Sequence, residues 1–373
     1  MLKVVFIQPG YAHYRKKLFD KLNEGYDILF VFVSGKSVYP SSDEGNKVWK
    51  TICLHSEKNS LWLLRLLNLL LLHNFDVVVS SLSHSIQSAI AYLVAKIKRK
   101  KFVIWSMSWH RPFEYSYRPK IYRMLRFILA KYILWKANAV IVPGRFSYRY
   151  HQQLGISKDR IFVANQSTND ISKDNRSDIS RDEIGINQKI IILYLSRIIE
   201  YKGLDILVRA FKMLEMERKD VFLLIGGDGD FRPFCEKLAR ELVIKNIRFL
   251  GKIPSHKVGF YYMLSDIFVL PSHITNKAEA WGLVINEAMS VGKPVITTDA
   301  VGAAYELVKD GINGYMVKNK NVNELYAALK RILQDNRLMR AMGENSRKIF
   351  EEFNDYDKMF EGFKNAIVHV TNE

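Results

Sequence analysis

Short, continuous apolar runs alternate with longer amphipathic segments along the whole chain. The apolar runs have the length of strands, and the segments between them repeat their apolar positions every three or four residues, as helices do. The predicted strands are 3–9, 27–34, 75–81, 101–107 and 139–144 in the first half, and 189–197, 221–229, 247–253, 267–272 and 293–299 in the second. Continuous apolar strands separated by helices indicate parallel sheets that helices cover on both faces.

This alternation is interrupted once, by the polar stretch NQSTNDISKDNRSDISRDEIGINQ at 165–188. We therefore predict an α/β fold of two doubly wound, Rossmann-like domains with a cleft between them. The predicted boundaries are a first domain at 1–165, a linker at 166–188 and a second domain at 189–350. Residues 322–370 are helical by pattern, with Asn321 or Asn323 as a cap, and the segment 351–373 is expected to pack on the first domain. Such sheets bind ligands at the carboxyl ends of their strands.

Length and composition agree with two globular domains. The chain has 373 residues and is 48% hydrophobic, and a single core stops growing at about 250–300 residues. Its two cysteines, Cys53 and Cys235, suit a reducing compartment better than a disulfide framework. No apolar run reaches the roughly 18 residues of a spanning helix, and MLKVVFIQPG is typical of a buried strand rather than a secretion signal. A cytoplasmic protein is expected.

The net charge of +18 lies almost entirely in the first half. Residues 1–165 contain 26 Lys and Arg against 9 Asp and Glu, whereas residues 166–373 contain 30 against 29. This asymmetry favours an anionic partner for the first half, either nucleic acid or an acidic membrane surface. No nucleic-acid-binding module is recognisable, so we expect the inner face of the cell membrane and no nucleic acid.

A basic and apolar segment in this half, RPKIYRMLRFILAKYILWKA at 118–137, is the candidate for that surface. A helical wheel puts its cations on one side, with two apolar residues among them. The predicted membrane-contacting residues are Lys120, Arg123, Arg126, Phe127, Lys131 and Leu134. Cations interleaved with apolar groups are typical of an interfacial helix on anionic lipid. A core helix with a solvated cationic face is the alternative.

Two cations follow the first strand of the second half, in LYLSRIIEYKGLDIL at 193–207. Arg197 and Lys202 precede a helix that is predicted to start near Gly203. The free N–H groups and the dipole of a helix start attract anions, and a planar guanidinium and a compact ammonium can hold a diphosphate together. Ordinary surface charge is the alternative for this pair alone.

Two glutamates lie further on, in SHITNKAEAWGLVINEAMSVGKPVITTDAVGAAYE at 272–306. A helix is predicted from about Trp281 to Ser290, which puts Glu279 on the loop before it and Glu287 inside it. Glu287 lies among apolar residues, and an acid on a buried helix needs a partner. Both carboxylates could bond the hydroxyls of a ligand beside the free N–H groups at the helix start.

Taken together and in order, these segments resemble the retaining glycosyltransferases of family 4, which have the GT-B fold. That family carries a Glu-x7-Glu motif, here Glu279 to Glu287 with Trp281 in the aromatic place, followed by EAMSVGKPVITTD. SRIIEYKG, IGGDGDFR, FLGKIP, YYMLSDIFVLPS and ELVKDGINGYMV match further family segments. The resemblance covers about 190–320 strongly and the first half loosely.

The resemblance implies roles for the matching residues. Those of the donor site are Arg197 and Lys202 for the diphosphate, Glu287 for the ribose, Glu279 for the sugar hydroxyls, the backbone at Leu283 and Val284 for the phosphates, and Gly251 and Ile253 near the base. In the first half, Gly10 follows the first strand and would let the backbone approach the donor. His110 follows the strand 101–107 and would lie near the reacting sugar, with a hydrogen-bonded structural histidine as the alternative. Tyr11, His13, Tyr14 and Arg15 are the acceptor-facing candidates.

The chain is therefore predicted to be a metal-independent hexosyltransferase without a cofactor, with His110, Arg197, Lys202 and Glu279 as its catalytic residues. It would move a sugar from a nucleotide diphosphate sugar to a glycan or lipid-linked acceptor, in polysaccharide, lipopolysaccharide or capsule biosynthesis.

Three other classes of protein are the alternatives to this prediction. A metal-dependent glycosyltransferase of another fold could use Asp228-Gly229-Asp230 or Asp355-Tyr356-Asp357, since both fit an Asp-x-Asp pattern. A nicotinamide oxidoreductase needs G-x-G-x-x-G after the first strand, which the sequence lacks. A non-catalytic nucleotide-sugar-binding relative is disfavoured by the retained Arg, Lys and both Glu.

Overall fold

A computed structural model describes residues 1–33, 49–54, 61–81, 85–109, 120–173, 181, 185–186, 190–275 and 278–372. Its strands are β1 (Lys3–Gln8), β2 (Asp27–Phe32), β3 (Lys50–Cys53), β4 (Val77–Ser81), β5 (Lys101–Trp105), β6 (Ala139–Val142), β7 (Ile161–Val163), β8 (Ile190–Leu195), β9 (Val221–Gly226), β10 (Ile247–Gly251), β11 (Ile267–Leu270), β12 (Val295–Thr298) and β13 (Gly314–Val317). Its α-helices are α1 (Lys16–Gly25), α2 (Trp62–Leu72), α3 (Ile86–Ile97), α4 (Lys120–Lys136), α5 (Arg145–Gln153), α6 (Leu204–Glu217), α7 (Arg232–Glu241), α8 (Ser255–Leu264), α9 (Leu283–Ser290), α10 (Ala304–Leu307), α11 (Val322–Leu333), α12 (Asn336–Phe353) and α13 (Tyr356–Asn372).

The described residues form two compact units. Unit 1 contains 1–167 and 355–373, and unit 2 contains 168–354. The start of unit 2 is fixed by Asp170, whose two carboxylate oxygens each accept a 2.9 Å hydrogen bond from the Arg347 guanidinium on α12. The chain therefore leaves unit 1 at Ser167 and returns to it at Asp355.

Unit 1 contains a seven-stranded parallel sheet in the order β3-β2-β1-β4-β5-β6-β7. Alternate residues of β1 divide its core, because successive strand side chains point to opposite faces. Val4 and Phe6 pack with α1 and α13, whereas Val5 and Ile7 pack under α2, α3 and α4. Both faces of the sheet are thus covered by helices.

The last helix, α13, is part of the unit 1 core. Phe363 is fully buried, and its ring lies 5.0 Å from the ring of Trp105 on β5. Gly362 has no room for a side chain, since a Cβ there would lie 2.3 Å from the carbonyl oxygen of Val163. The helix therefore rests directly on the sheet, although it follows the whole of unit 2 in the sequence.

Unit 2 repeats the plan with a six-stranded parallel sheet in the order β10-β9-β8-β11-β12-β13. Its largest buried cluster joins β8, β9 and β11 to α6, α7 and α11. Asn321 caps α11 by accepting a hydrogen bond from the Glu324 N–H, which confirms one of the two predicted caps.

The two helix-covered parallel sheets confirm the predicted α/β fold class. The strand predictions missed β3, β7 and β13, and each of these is an edge strand. β3 and β13 are partly exposed, so they lack the continuous apolar run that marks a central strand.

Candidate functional site

The charged residues singled out in the second half converge at the carboxyl ends of β8 and β11 in unit 2. Arg197 and Lys202 follow β8, and Glu279 lies on the chain between β11 and α9. Strand β8 lies between β9 and β11, where the strand order of the sheet changes direction. Doubly wound sheets bind ligands in the crevice at that position.

Lys202 and Glu279 form an ion pair in this crevice. Lys202 Nζ donates to Glu279 Oε2, and the two side chains are only 8% and 15% exposed. Removing an ammonium and a carboxylate from water costs several kcal/mol for each ion, so each stabilises the other's charge. The structure thus brings into contact two residues that are 77 positions apart and that were predicted to serve one ligand.

A sharp turn positions Lys202. Residues Glu200–Lys202 form one 3₁₀ turn, and Gly203 then adopts φ +70° as the N-cap of α6. A Cβ at Gly203 would lie 2.0 Å from the carbonyl oxygen of Pro271. Only glycine fits this left-handed, crowded position, and it presses the turn against the end of β11, where Glu279 can be reached.

Glu279 is held through its backbone by the loop after β12. Its N–H donates to the carbonyl oxygen of Ala300 at 3.2 Å, and its carbonyl oxygen accepts from the Gly302 N–H at 3.1 Å. Gly282 follows at φ +95°, and a Cβ there would lie 2.8 Å from Val301 Cγ1. These contacts fix both the glutamate and the start of α9.

Arg197 lies beside Tyr201, which also feels the charge of Glu279. Arg197 is exposed, and its side chain hydrogen-bonds to Tyr201, which is half-buried. Burial raises the pKa of Tyr201, the negative charge of Glu279 raises it further, and Arg197 lowers it. Tyr194 supports the same turn by donating its hydroxyl to the Arg197 carbonyl oxygen at 3.2 Å. Guanidinium, phenol, ammonium and carboxylate therefore share one site.

The start of α9 adds backbone donors to this site. The helix begins at Leu283, and its N-cap residue, Gly282, has no side chain to cap it. The first N–H groups of a helix have no partner within the helix, so those at Leu283 and Val284 lie where an anion could be bound.

Glu287 lies one helical turn further on and has a different partner. Tyr262 on α8 is fully buried and donates its hydroxyl to Glu287 Oε2 at 2.8 Å. Burial raises the pKa of the Glu287 carboxyl to about 7, although the Tyr262 bond lowers it. Glu287 is thus a carboxylic acid that can change its charge near neutral pH.

The predicted base-contacting residues lie at the ends of β9 and β10. Gly251 has φ +71°, and its carbonyl oxygen accepts from the Gly227 N–H at 2.8 Å. The Ile253 side chain packs closely on Gly226. A Cβ added at Gly226 would lie 2.5 Å from Ile253 Cδ1. Ile253 therefore covers the end of β9, next to the turn that carries Arg197.

In unit 1, the predicted acceptor-facing residues separate into different environments. Arg15 is part-buried; it donates to Gln8 Oε1 and lies over the Trp105 ring at 4.5 Å. His13 is exposed and Tyr14 is half-buried; Gly10, which was predicted to approach the donor, lies two residues after the end of β1. Among these candidates, Arg15 is therefore the charged side chain that lies at the carboxyl end of the unit 1 sheet.

The structure places Tyr11 in the core of unit 1. Tyr11 is 8% exposed and packs among Phe19, Phe32 and Trp49, so it is a core residue rather than an acceptor contact. His110 lies outside the described residues.

The membrane-contacting residues predicted on α4 need correction. Leu134 is 3% exposed and belongs to the core, and Phe127 packs against the same core. They belong to the stripe that faces the sheet with Ala130 and Ala137, which the helical wheel assigned to the cationic side. Arg126 and Lys131 are half-buried, and the side chains of Lys120 and Arg123 lie outside the described residues. Among the described helices, none is long and apolar enough to cross a membrane.

Neither Asp-x-Asp sequence forms a cluster typical of a metal site. Asp355 caps α13 by accepting from the N–H groups of Asp357 and Lys358, and Asp357 pairs with Lys21 at 2.5 Å. Asp228 accepts from the Gly229 N–H at 2.8 Å. Within the described part of the chain, no group of three His, Cys, Asp or Glu side chains could hold a metal ion.

Sequence reasoning missed Tyr201 and Tyr262. Each tyrosine hydroxyl lies beside a predicted charged residue, Arg197 for Tyr201 and Glu287 for Tyr262. The signal in the sequence was weak: Tyr201 directly precedes Lys202, whereas Tyr262 is one of two adjacent tyrosines on a helix.

Two family models match the chain. Residues 176–349 match the model described as Glycosyl transferases group 1, and residues 24–166 match the model described as Glycosyltransferase Family 4. The first match spans most of unit 2 and contains all four charged residues of the site.

Individual proteins show the same similarity. An uncharacterized glycosyltransferase of Haemophilus influenzae is 24% identical over 352 residues, which are 92% of this chain and 92% of the relative. A GDP-mannose-dependent alpha-(1-6)-phosphatidylinositol monomannoside mannosyltransferase of Mycolicibacterium smegmatis is 30% identical over 171 residues, 45% of this chain and 44% of that protein. The chain thus aligns with less than half the length of this second relative.

The solved structure of HepE from Anabaena in complex with UDP and glucose has a similar fold. It superposes with a TM-score of 0.79 at 19% identity, covering 99% of this chain and 100% of that one.

Proposed function

The chain belongs to the GT-B-fold glycosyltransferases related to family 4, and we propose that it transfers a hexosyl group from a nucleoside diphosphate sugar with retention of configuration. The acceptor would be a glycan or a lipid-linked glycan. The family match supports glycosyl transfer, and the HepE structure, which contains UDP and glucose, supports a uridine nucleotide as the first donor to test.

The observation that carries this proposal is the buried Lys202–Glu279 pair beside Arg197 and the uncapped start of α9. The cations and the helix start suit a diphosphate, and the carboxylate suits sugar hydroxyls. In the protein without a ligand, Lys202 and Glu279 neutralise each other. A bound donor would replace this contact, taking Lys202 to its phosphate and Glu279 to its sugar.

The chemistry follows from where charge develops. When the bond between the sugar and the diphosphate breaks, negative charge accumulates on the departing phosphate oxygen. Arg197, Lys202 and the N–H groups of α9 would stabilise that charge, and positioned donors of this kind typically contribute about 3–4 kcal/mol each. The acceptor hydroxyl would attack from the same face as the leaving phosphate, which would take its proton, so the chain need supply no nucleophile.

Glu287 would bind the donor away from the reacting bond. Its position on α9 and its bond to Tyr262 hold the carboxyl in place, and a vicinal diol such as that of ribose could donate to it. Tyr201, between Arg197 and Glu279, would contact the phosphate or the sugar.

We further propose that the enzyme acts at the cytoplasmic face of the cell membrane and needs no divalent metal. The basic first half and the name of the mycobacterial relative, which acts on a phosphatidylinositol mannoside, support a lipid-linked acceptor. The cations of the donor site offer the charge stabilisation that a metal would otherwise supply.

A donor screen followed by mutation tests the proposal. We expect UDP or another nucleoside diphosphate sugar to raise the unfolding temperature of the wild type. Lys202→Ala, Arg197→Ala and Glu279→Ala should each abolish transfer, because each removes a contact made to the reacting groups. Near wild-type turnover in any of them would refute the role given to that residue.

A further inference from the structure

The helices on one side of unit 1 leave many large apolar side chains in solvent. Along α2 these are Leu64, Leu67, Leu71 and Leu72; along α3, Ile86, Leu93 and Ile97; along α4, Ile121, Met124, Leu125, Ile128, Leu129, Tyr132 and Trp135. They make up more than half of the exposed large apolar side chains in the described residues. Contiguous apolar surface of this kind marks an interaction site.

The three helices form one continuous surface. α2 packs on α3 and α3 packs on α4, and all three cover the same face of the sheet. Lys98, just after α3, ties α3 to α2 by donating to the carbonyl oxygens of Leu70, Leu71 and His73 at 3.1, 3.0 and 2.7 Å. Tyr92 of α3 contacts Tyr132 of α4 edge to face at 6.1 Å. We call this surface the α2–α4 face.

Helix α4 carries apolar residues both on the side that packs on the sheet and on the side that faces solvent. Its inner stripe, with Ala130, Ile133 and Leu134, fills the core. Its opposite stripe includes Leu125 and Ile128, which are 57% and 53% exposed. A helix that covers a sheet normally turns its apolar stripe to the core and polar residues to solvent, so a second, exposed apolar stripe on α4 indicates a further contact surface.

The charge on the α2–α4 face has one sign. The sequences of α2, α3 and α4 contain no Asp or Glu. Exposed cations lie among or beside the apolar residues, namely Arg65, Lys96, Arg99 and Lys136. A cationic rim around inserted apolar side chains is the pattern of a protein that lies in the headgroup region of an anionic bilayer.

We propose that the α2–α4 face docks unit 1 on an anionic lipid bilayer, with the outer apolar stripes of the three helices inserted among the headgroups. This deepens the proposed function by giving the enzyme a surface on which to meet a lipid-linked acceptor, and it rests on that function only for the acceptor. In this proposal the α2–α4 face, rather than the cationic side of α4 that the sequence predicted, is the membrane-contacting surface. A second copy of the chain fits the face poorly, because two such faces would bring cations together with no acidic residue on the three helices to pair with them.

Vesicle flotation of the full-length protein tests the proposal. We expect the wild type to float with phosphatidylcholine vesicles that contain phosphatidylglycerol, and far less with phosphatidylcholine alone. Leu125→Asp/Ile128→Asp should reduce the partition coefficient by about tenfold or more, since both side chains would insert. Lys96→Gln/Lys136→Gln should weaken the preference for the anionic vesicles, because these cations are exposed on the face.

Met216→Asp/Ile312→Asp is the matched control. These unit 2 side chains are 67% and 49% exposed, so the control makes the same change in charge and apolar area away from the face. It should float like the wild type. Circular dichroism and the shift in unfolding temperature with the donor nucleotide would show whether each variant is folded and binds donor, independently of flotation.

Equal flotation of the Leu125→Asp/Ile128→Asp variant and the wild type would overturn the proposal. So would a wild type that does not float but is a dimer by light scattering, with the same variant monomeric, since a second copy would then cover the face.

Discussion

Lys202 and Glu279 form a buried ion pair in the candidate donor site. Each ion alone would be poorly solvated in the crevice, so the pair holds both side chains in place until a ligand offers other partners. Burial makes this pair different from the surface ion pairs of the same chain. The Lys330–Glu217 pair, for example, is 45% and 46% exposed.

We predict that Lys202→Met lowers the free energy of unfolding by about 3 kcal/mol, because it leaves the Glu279 carboxylate buried without its cation. Lys202→Met/Glu279→Gln should recover a large part of that loss. Lys330→Met is the control, and its cost should stay below about 1 kcal/mol, as for other exposed pairs. Urea unfolding of the four proteins measures these values. Equal losses for Lys202→Met and Lys330→Met would contradict the buried pair.

Glu287 should make stability depend on pH. Its pKa is raised from 4.5 to about 7, so between these values the folded state holds a proton that the unfolded state has released. The contribution of Glu287 to the free energy of unfolding is therefore fully present below about pH 4.5 and is lost as the pH rises towards 7.

Relative to Glu287→Gln, the wild type should lose about 2–3 kcal/mol of unfolding free energy between pH 5 and pH 8. Denaturant unfolding of both proteins at several pH values measures this difference. A difference that stays constant, or that grows in favour of the wild type with rising pH, would show that Glu287 is ionised throughout.

At this scale the sequence identified the charged residues of the site but not their neutral neighbours. Arg197, Lys202, Glu279 and Glu287 stand out because a charged residue beside a predicted buried strand or helix is unusual. Tyr201 has no such signal, since a tyrosine next to a lysine fits a core or a surface equally well.

Among the elements, helix α9 begins after a glycine that no other residue can easily replace. Gly282 combines a left-handed backbone with a Cβ position that Val301 already occupies. Gly311 has a similar φ of +74°, but nothing lies within 4 Å of its Cβ position. Alanine at Gly311 would therefore suffer backbone strain alone, whereas alanine at Gly282 would suffer backbone strain and steric crowding.

We predict that Gly282→Ala destabilises the protein more than Gly311→Ala, whose cost should be about 1 kcal/mol from strain alone. Gly282→Ala should also weaken donor binding, because displacing the start of α9 moves its N–H groups and Glu279. Thermal unfolding and titration with the donor nucleotide measure both effects. Normal donor binding by Gly282→Ala would show that the helix start does not contact the phosphates.

Periodicity predicted the elements better than it predicted which side of each element is buried. The wheel for α4 separated cations from apolar residues, but the fold buries Leu134 and exposes Leu125, because apolar residues occur on both sides. Only the position of the sheet decides between two apolar stripes. The strands β3 and β13 were missed for a different reason: they are partly exposed and lack a continuous apolar run.

For the whole molecule, alternation of buried strands and helices was sufficient to predict the fold class. Parallel strands need crossover connections, usually helices, so buried strands and amphipathic helices alternate along the whole sequence. Which residues share a site depends on contacts between distant segments, such as Lys202 with Glu279, and the family resemblance supplied that link.

Metal removal tests the proposed mechanism for the enzyme as a whole. Transfer should continue at an undiminished rate in EDTA, because in the proposed mechanism Arg197, Lys202 and the α9 start would stabilise the leaving phosphate. Activity assays with and without EDTA, followed by addition of Mg²⁺ or Mn²⁺, measure this. Loss of transfer in EDTA that either ion restores would contradict metal independence.

The most direct test of the donor site compares the affinities of UDP and of the best-binding UDP-sugar by calorimetry. Wild-type protein should bind the sugar nucleotide more tightly than UDP, and Glu279→Gln should remove that difference while changing UDP affinity little. Lys202→Ala should weaken both ligands, because it removes a diphosphate contact. Undiminished binding of both ligands by both variants would place the nucleotide sugar elsewhere and contradict the account.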